Sequence, residues 1–257
     1  MLLKSMVDAG TPEKFISCVD KAVSAGCLGI LVSGGSDIAG AVPLLPFIDG
    51  IAYAKKRGLK VVVHTGLADE ETARALKAAN IDQALLDVIG SENTIRNVYG
   101  IDRTPEDFAK SMFYCREAGL EMAPHLVVGL DFGRIDGEYE AVDMVSRAKA
   151  KNFVLVVFTP KRGTEMQNTP PPPFDEVAKV FQYAVDTLKD THITLGCARP
   201  FSYTDELEKL AVDLNFDGIA YPHEKTIQYI RKTGRGMFFF EECCSLVNSQ
   251  AGAGFTP

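Results

Sequence analysis

The chain has 257 residues, 46% of them hydrophobic and 24% charged, which is enough apolar material for one large α/β domain. Its formal net charge of −7 argues against nucleic acid or an anionic membrane as a partner. No apolar run approaches the roughly 20 residues of a membrane span, and the start MLLKSMVDAG is too short and too soon acidic for a signal peptide. The sequence therefore predicts a cytoplasmic protein that binds neither nucleic acid nor membrane.

Seven strand-like runs recur along the chain, with helical patterns between them. Their continuous Val, Ile and Leu content is typical of strands buried on both faces of a parallel sheet. The runs lie at 28–34, 60–66, 84–90, 123–131, 153–160, 192–197 and 217–222. Strand–helix alternation predicts a parallel (β/α) barrel, partial or TIM-like, over 1–245, followed by a flexible tail over 246–257. Because the chain starts on a helical pattern, the first strand of the barrel is expected to be missing.

Two helical segments carry readable start signals. In the first, Thr11 is the predicted N-cap and Pro12 the first helical residue. The segment DRTPEDFAKSMFYCREAG has the same start pattern, with Thr104 as the N-cap and Pro105 as the first helical residue, and the helix ends at Gly119. Both segments are therefore predicted to be helices, the first ending at Gly26.

Polar residues and glycines follow most of the strand-like runs. Ligands of parallel α/β folds bind at the carboxyl ends of the strands, so these positions form the candidate site. The candidates are Ser33, Gly34, Gly35, Asp37, His64, Asp87, His125, Gly129 and Thr159. Four further charges stand near strand ends, where they either meet a carboxylate or phosphate or are simply solvated: Arg134, Lys161, Arg162 and Arg199.

Several of these residues have structural alternatives. A single strand histidine, His64 or His125, is often only hydrogen-bonded. Asp87 can cap the helix that follows it, and Gly34 with Gly35 can form a tight turn. The two histidines and Asp87 can also supply a metal site with an open position, which predicts a metal- or base-dependent barrel lyase or isomerase.

The order of the strand ends resembles the radical S-adenosylmethionine (radical SAM) superfamily over about residues 10–246. The likeness is to biotin synthase-like members, and among them to a component of the two-protein lipoyl synthase of archaea and some bacteria. The segment VSGGSD looks like the Gly-Gly-acid turn that binds the methionine amino group of SAM. Bare backbone at Gly34 and Gly35 would admit the ligand, and Asp37 would offset its ammonium charge. The family pattern is Gly-Gly-Glu, whereas here the acid stands one residue later.

Two later segments extend the resemblance. The run from LLDVIG to HLVVGLDFG is similar to the biotin synthase run that begins at the ribose-binding strand, which implies that Asp87 lies near the SAM ribose. Gly129 would then approach the adenosyl moiety. The stretch VVFTPKRGTEM resembles the strand beside the adenine and carries Thr159. Ser33, His64 and His125 complete the cofactor-binding set that this resemblance implies.

The sequence departs from the family at one motif. Radical SAM enzymes hold a [4Fe–4S] cluster on a C-x-x-x-C-x-x-C loop, and the sequence contains no such triplet. Three alternatives follow: the chain is truncated ahead of Thr11, it is a cluster-free relative, or the loop comes from another chain, such as a second synthase subunit. The resemblance implies SAM and a 4Fe–4S cluster as family cofactors, and sulfur insertion into a small-molecule or lipoyl-domain-like substrate. An inactive SAM-binding partner subunit is the alternative.

Three of the six cysteines form a second candidate metal site. Cys197 ends a strand-like run, and Cys243 is adjacent to Cys244. These thiols are predicted to lie near one barrel end, where they would hold an auxiliary iron–sulfur cluster of the kind used by sulfur-inserting members. Plain packing is the alternative. Small apolar packing is also predicted for the remaining three cysteines, Cys18, Cys27 and Cys115.

Overall fold

A computed structural model describes residues 6–246. The strands are Gly29–Val32 (β1), Lys60–His64 (β2), Gln83–Asp87 (β3), Met122–Val128 (β4), Asn152–Val157 (β5), His192–Leu195 (β6) and Gly218–Ile219 (β7). The α-helices are Pro12–Ser24 (α1), Ile48–Lys56 (α2), Glu70–Ala78 (α3), Glu92–Thr94 (α4), Pro105–Glu117 (α5), Glu138–Ala148 (α6), Phe174–Thr187 (α7), Thr204–Asp213 (α8) and Glu224–Thr233 (α9). Two 3₁₀ turns, Leu45–Phe47 and Phe201–Tyr203, and a π-helical turn, Ile95–Tyr99, complete the described elements. None of the helices within 6–246 is long and apolar enough to cross a membrane.

The strands are parallel and hydrogen-bonded in chain order, from β1 to β7. This confirms the predicted parallel (β/α) architecture of a partial, TIM-like barrel. Every predicted run contains a strand, but each strand stops before its run does. The run 28–34 ends as β1 at Val32, and the run 84–90 ends as β3 at Asp87. The residues at the ends of the runs leave the sheet as loops, and some of them, such as Thr65 and Asp131, are buried there.

The described residues fall into two compact units, within Met1–Leu86 plus Lys110–Met122 and within Asp87–Ala109 plus Ala123–Pro257. In the first unit, β1 pairs with β2 and β2 with β3; Gly29 lies opposite Lys60. The side chains of Val61 and Val63 in β2 are fully buried, as is Ile51 of α2. This alternation of buried strand and amphipathic helix is the βαβ packing that the sequence predicts.

The second unit is built around β5. All six residues of β5 are buried, because strands in the interior of a parallel sheet have helices on one face and core side chains on the other. Helix α7 supplies much of that cover and buries Val180 and Phe181. The centroid of the Phe181 ring lies 5.3 Å from that of Phe216, which stands in the loop after α8.

The predicted helix starts are confirmed. Thr11 caps α1, its hydroxyl accepting a hydrogen bond from the amide of Lys14 at 3.3 Å. At the start of α5, the amide and hydroxyl of Thr104 donate to Asp107 Oδ2 at 2.8 and 3.1 Å. Such caps stabilise a helix by about 1 kcal/mol each.

The structure bears on the predictions for two of the cysteines and for the first residue of the tail. Cys115 is buried as predicted, and burial raises its pKa to about 12. Cys27 is exposed in the turn between α1 and β1, so the packing prediction is wrong for this residue. Of the predicted flexible tail, only Leu246 is described, and it is buried; 247–257 lie outside the described residues.

Candidate functional site

The loop after β1 has a glycine pair whose backbone is little covered by other residues. A side chain added at Gly35 would meet no atom within 4 Å, and one added at Gly34 only the side chain of Val42 at 3.4 Å. Asp37 closes the loop, because its Oδ1 accepts from the amides of Ala39 and Ala41 at 2.8 and 3.1 Å. Its Oδ2 has no hydrogen-bond partner among the described residues. The loop thus combines an exposed glycine pair with a carboxylate oxygen that its own turn does not use.

The same loop is fastened to the end of β2. The amide of Val42 donates to the Thr65 carbonyl at 3.0 Å, and that of Leu67 donates to the Gly40 carbonyl at 2.9 Å. Gly66 has φ +59°, and a side chain there would collide with the Gly40 carbonyl. Because of this contact the loop lies beside the strand end that carries half-buried His64. The first unit therefore brings together five of the predicted residues: Ser33, Gly34, Gly35, Asp37 and His64.

In the second unit, Asp87 at the end of β3 is bonded to a tyrosine. The hydroxyl of Tyr99 donates to Asp87 Oδ2 at 2.6 Å. Burial, followed by the negative charge of Asp87, raises the pKa of Tyr99 well above its ordinary value, so the phenol stays protonated. Tyr99 ends the π-helical turn, an irregularity that is frequent at functional sites.

Asp87 does not cap a helix, so this structural alternative is wrong. The N-cap of α4 is Ser91, whose hydroxyl accepts from the amide of Thr94 at 3.3 Å. Asp87 stands four residues earlier, and the interaction with Tyr99 uses one of its two oxygens. The other oxygen, Oδ1, has no hydrogen-bond partner among the described residues and can accept from a ligand hydroxyl.

His125 lies in β4 beside the end of β3. Its carbonyl accepts from the amide of Val88 at 3.0 Å. Its Nδ1 lies 2.9 Å from the carbonyl of Ala123, and since a carbonyl only accepts, Nδ1 carries the proton. His125 is half-buried, as expected for a strand histidine with a polar role at its edge.

The turn at Gly129 is closed by residues of the same chain. Gly129 has φ +80°, and a side chain there would lie 2.6 Å from Cγ of Pro172. Its amide donates to Oε1 of Glu138 at 2.7 Å. The carbonyl of Pro172 in turn accepts from the hydroxyl of Tyr203 at 2.6 Å. Glycine is required at 129 because Pro172 occupies the space of a side chain, a reason that the sequence does not reveal.

Thr159 follows β5. Its hydroxyl donates to the Val157 carbonyl at 3.0 Å. The amide of Phe158 donates to Val128 of β4, and that of Val157 donates to Ala198 after β6. The ends of β4, β5 and β6 are thus joined side by side within the second unit, which brings Asp87, His125, Gly129 and Thr159 to one set of neighbouring strand ends.

The predicted thiol site lies in the second unit. Cys197 is exposed, whereas Cys243 and Cys244 are half-buried. A hydrogen bond with Cys243, then burial, then the charges of Cys243 and Cys197 raise the pKa of Cys244. Among the described residues, no group of three or more His, Cys, Asp or Glu side chains is arranged to hold a metal ion. Iron–sulfur clusters are held by thiolates, and the auxiliary cluster at these three cysteines stays a prediction.

Arg199 belongs to a buried structural network and is not a solvated charge. Its guanidinium donates to the carbonyls of Ala220 at 2.7 Å and Tyr221 at 3.2 Å, and lies 3.3 Å from fully buried Glu208. Glu208 Oε2 also accepts from the amide of His223 at 2.8 Å. The network joins the loops after β6 and β7.

The other three strand-end charges are on the surface or paired. Arg134 forms an ion pair with buried Asp131 at 2.5 Å. Lys161 and Arg162 are exposed in the loop after β5. Their positions agree with solvated loop charges.

Sequence reasoning missed three residues that shape these strand ends: Tyr99, Glu138 and Glu208. Glu138 and Glu208 each stand in an ordinary helical pattern, where an acid is expected on the solvated face. Their burial follows from the loops that pack over them, and no local signal reports it. Tyr99 sits in NVYG, where the following glycine indicates a helix end but not the π-helical turn that positions the phenol.

Comparison with known proteins gives a likeness of fold. No protein-family model and no curated protein matches the sequence. Among solved structures, methylornithine synthase (PylB) has a TM-score of 0.59 at 12% identity, covering 85% of this chain and 63% of that one. The hydrogenase maturase HydG from Carboxydothermus hydrogenoformans has 0.57 at 15%, covering 94% and 62%.

An archaeal protein shares the fold as well. Methanocaldococcus infernus Elp3 with its N-terminus deleted has a TM-score of 0.54 at 15% identity, covering 87% of this chain and 59% of that one. The chain thus spans less than two thirds of the length of these three structures. At such low identities the likeness establishes a shared fold.

Proposed function

We propose that the chain is a radical SAM-type core, related to lipoyl and biotin synthases, that binds S-adenosylmethionine at its strand ends. Two findings support the proposal. The solved structures that share its fold include radical SAM enzymes. The order of its strand-end residues also resembles that superfamily, from the 34–37 loop through Asp87 to Gly129.

The observation that carries the proposal is the geometry of the 34–37 loop. Gly35 leaves the backbone uncovered, and Asp37 keeps one carboxylate oxygen outside its turn. An ammonium group beside a carboxylate forms a charge-assisted hydrogen bond, which is about twice as strong as a neutral one. The loop therefore suits the amino group of the methionine part of SAM.

The strand ends of the second unit suit a nucleoside. Tyr99 fixes the Asp87 carboxylate through Oδ2, which leaves Oδ1 to accept from a ribose hydroxyl. Thr159 and the Gly129 turn lie at neighbouring strand ends, where the resemblance puts the adenosyl group. Sulfur insertion into a small-molecule or lipoyl-domain-like substrate is the proposed reaction class.

A second candidate function is a SAM-binding subunit without catalytic activity of its own, whose cluster is held by a partner. A [4Fe–4S] cluster supplies the electron that cleaves SAM, and the sequence contains no C-x-x-x-C-x-x-C triplet to hold one. Among the described residues, β1 pairs on one side only, with β2, and Leu31 is 53% exposed. Such a strand edge is a place where a further strand can be added. A second synthase subunit is the proposed partner.

The lyase or isomerase alternative receives no support from the described residues. No group of three His, Cys, Asp or Glu side chains within 6–246 is arranged to hold a metal ion. One Asp87 oxygen is engaged by Tyr99, and His125 Nδ1 by the carbonyl of Ala123.

Isothermal titration of the full chain with SAM tests the proposal. Asp37→Asn keeps a carbonyl oxygen for the amides of Ala39 and Ala41 but removes the charge, so SAM should bind about tenfold more weakly, a loss of about 1.4 kcal/mol. Asp49→Asn, an exposed acid of α2 in the same unit, is the matched control and should bind like wild type. Absence of SAM binding by the wild type, or equal binding by Asp37→Asn, contradicts the proposal.

A further inference from the structure

A buried acid that no sequence pattern indicated lies behind the Gly129 turn. Glu138 is the first residue of α6 and is only 3% exposed. Its Oε1 accepts from the amide of Gly129 at 2.7 Å. Its Oε2 is buried and has no hydrogen-bond partner among the described residues. A buried carboxyl oxygen without a hydrogen bond lowers the stability of the folded state. The presence of Glu138 at this position therefore needs an explanation.

Glu138 is held in place by contacts with the loop after β3. The residue before it, Gly137, has φ +96°, and a side chain there would lie 2.6 Å from the carbonyl carbon of Gly90. The hydroxyl of Ser91 donates to Asp136 Oδ2 at 2.7 Å. Two glycine backbones in direct contact and this hydrogen bond fix the start of α6 to the loop that begins at Asp87.

The Gly129 turn is held from the opposite side. Pro172 packs where a side chain of Gly129 would project. Tyr203 donates to the Pro172 carbonyl and so secures the proline. The turn therefore lies between a proline and a carboxyl group, and its amide is directed at the carboxyl. Removing Glu138 Oε1 would free the amide while the proline still pressed on the turn.

We infer that Glu138 is a positioning residue: it ties the Gly129 turn to the loop after Asp87 and so sets the relative placement of the two strand ends. This inference rests on the proposed function, which puts the ribose at Asp87 and the adenosyl group at Gly129. A binding turn that is already ordered does not need to be ordered by the ligand, which lowers the cost of binding. Glu138 acts through the Gly129 turn and not by contact with the ligand.

Three variants of Glu138 test which property of its carboxyl group holds the turn. Glu138→Gln keeps an acceptor oxygen for the Gly129 amide and replaces Oε2 with an amide nitrogen. Glu138→Asp keeps the carboxyl group but withdraws the acceptor by one methylene group. Glu138→Ala removes both. Val180→Ala, in the buried face of α7 in the same unit, is the control for a general loss of stability.

Hydrogen exchange of the Gly129 amide is measured first, because it needs no ligand. Exchange in Glu138→Gln should match wild type, whereas Glu138→Asp and Glu138→Ala should exchange about tenfold faster or more, since local opening no longer breaks a hydrogen bond. Val180→Ala should leave the Gly129 amide protected. Unchanged protection in Glu138→Asp and Glu138→Ala overturns the inference.

SAM titration of the same full-length variants follows. Glu138→Gln should bind within about twofold of wild type, and Glu138→Asp about tenfold more weakly, because a displaced turn no longer matches the ligand. Val180→Ala should bind SAM normally at a temperature well below its Tm. Equal SAM binding by Glu138→Asp and wild type overturns the inference. A wild type that binds no SAM overturns the proposed function and the ligand named here, while the exchange result still decides whether Glu138 holds the turn.

Discussion

Two carboxyl groups of the second unit, those of Asp87 and Glu138, differ in burial. Asp87 receives a hydrogen bond from Tyr99 at a half-buried strand end. Glu138 is buried, and burial raises its pKa above the ordinary value of 4.5 even though the hydrogen bond from the Gly129 amide favours its charged form. Asp87 is therefore partly open to solvent, and Glu138 is kept from solvent.

The raised pKa of Glu138 predicts how the stability of Glu138→Gln depends on pH. A group whose pKa is higher in the folded state stabilises the fold below its unfolded value, near 4.5, and loses that contribution as pH rises through the folded value. Glutamine does not titrate. The Tm difference between Glu138→Gln and wild type should therefore shift in favour of the variant from pH 4 towards neutrality, measured by thermal scans in steps of pH. A difference that stays constant with pH would contradict the raised pKa.

The Tyr99 hydroxyl is predicted to stabilise the protein modestly. Tyr99→Phe removes the hydrogen bond to Asp87 and should lower the free energy of unfolding by about 1–3 kcal/mol, because the acceptor is charged. Denaturant titration measures the change. Tyr114→Phe, in α5, is the control and should differ little from wild type; an equal loss in both variants would count against the Asp87 contact.

At the level of elements, two glycines with the same motif-based prediction have different roles. Gly129 has a positive φ and Pro172 at its side, whereas nothing lies within 4 Å of a side chain added at Gly35, and its φ is not in the left-handed region. The first glycine is required by the turn. The second leaves the backbone uncovered.

This contrast predicts that substitution of Gly129 lowers stability, whereas substitution of Gly35 affects ligand binding. Gly129→Ala should lower the free energy of unfolding by about 2 kcal/mol or more, through backbone strain and overpacking. Gly35→Ala should leave stability within about 0.5 kcal/mol but weaken SAM binding if the proposed function holds. Denaturant titration and calorimetric SAM titration give the two readouts. Equal stability losses in both variants would show that Gly35 is a structural turn residue.

The Arg199–Glu208 pair connects β6, α8, β7 and α9. Glu208→Ala leaves a buried guanidinium without its counter-charge, which costs about 3–5 kcal/mol. Glu206→Ala, an exposed acid two residues earlier on α8, should have little effect. Chemical denaturation of both variants tests the network, and a small loss for Glu208→Ala would mean that water or the neighbouring carbonyls satisfy Arg199.

Over the whole chain, the fold was predictable because the same sequence pattern, an apolar run followed by a helical segment, occurs many times. Seven apolar runs separated by capped helices specify a parallel βα order, and an error in any one of them would not change the class. The site was predictable only where a residue's neighbours are close in sequence. The 34–37 loop is closed by Ala39 and Ala41, whereas the Gly129 turn depends on Glu138 and Pro172, whose packing is set by the tertiary fold.

The absent cysteine triplet predicts the behaviour of the isolated protein. Anaerobic reconstitution with iron and sulfide should give no thiolate-to-iron absorbance, and SAM with dithionite should give no 5′-deoxyadenosine. Absorbance that disappears in Cys197→Ala and Cys243→Ala would instead establish the auxiliary cluster of the sequence prediction. Formation of 5′-deoxyadenosine by the chain alone would contradict its description as a subunit without its own primary cluster.

The one-sided pairing of β1 also bears on how the protein behaves in concentrated solution. Among residues 6–246 no further strand pairs with the outer edge of β1, so its amides and carbonyls, beside the exposed side chain of Leu31, are a template onto which unfolded or neighbouring chains can assemble. Only four residues long, β1 offers a short template, and brevity is one of the ways in which natural sheets limit aggregation. A protein that covers this edge would therefore act as a solubility factor as well as a subunit, and co-expression with it should raise the yield of monodisperse material.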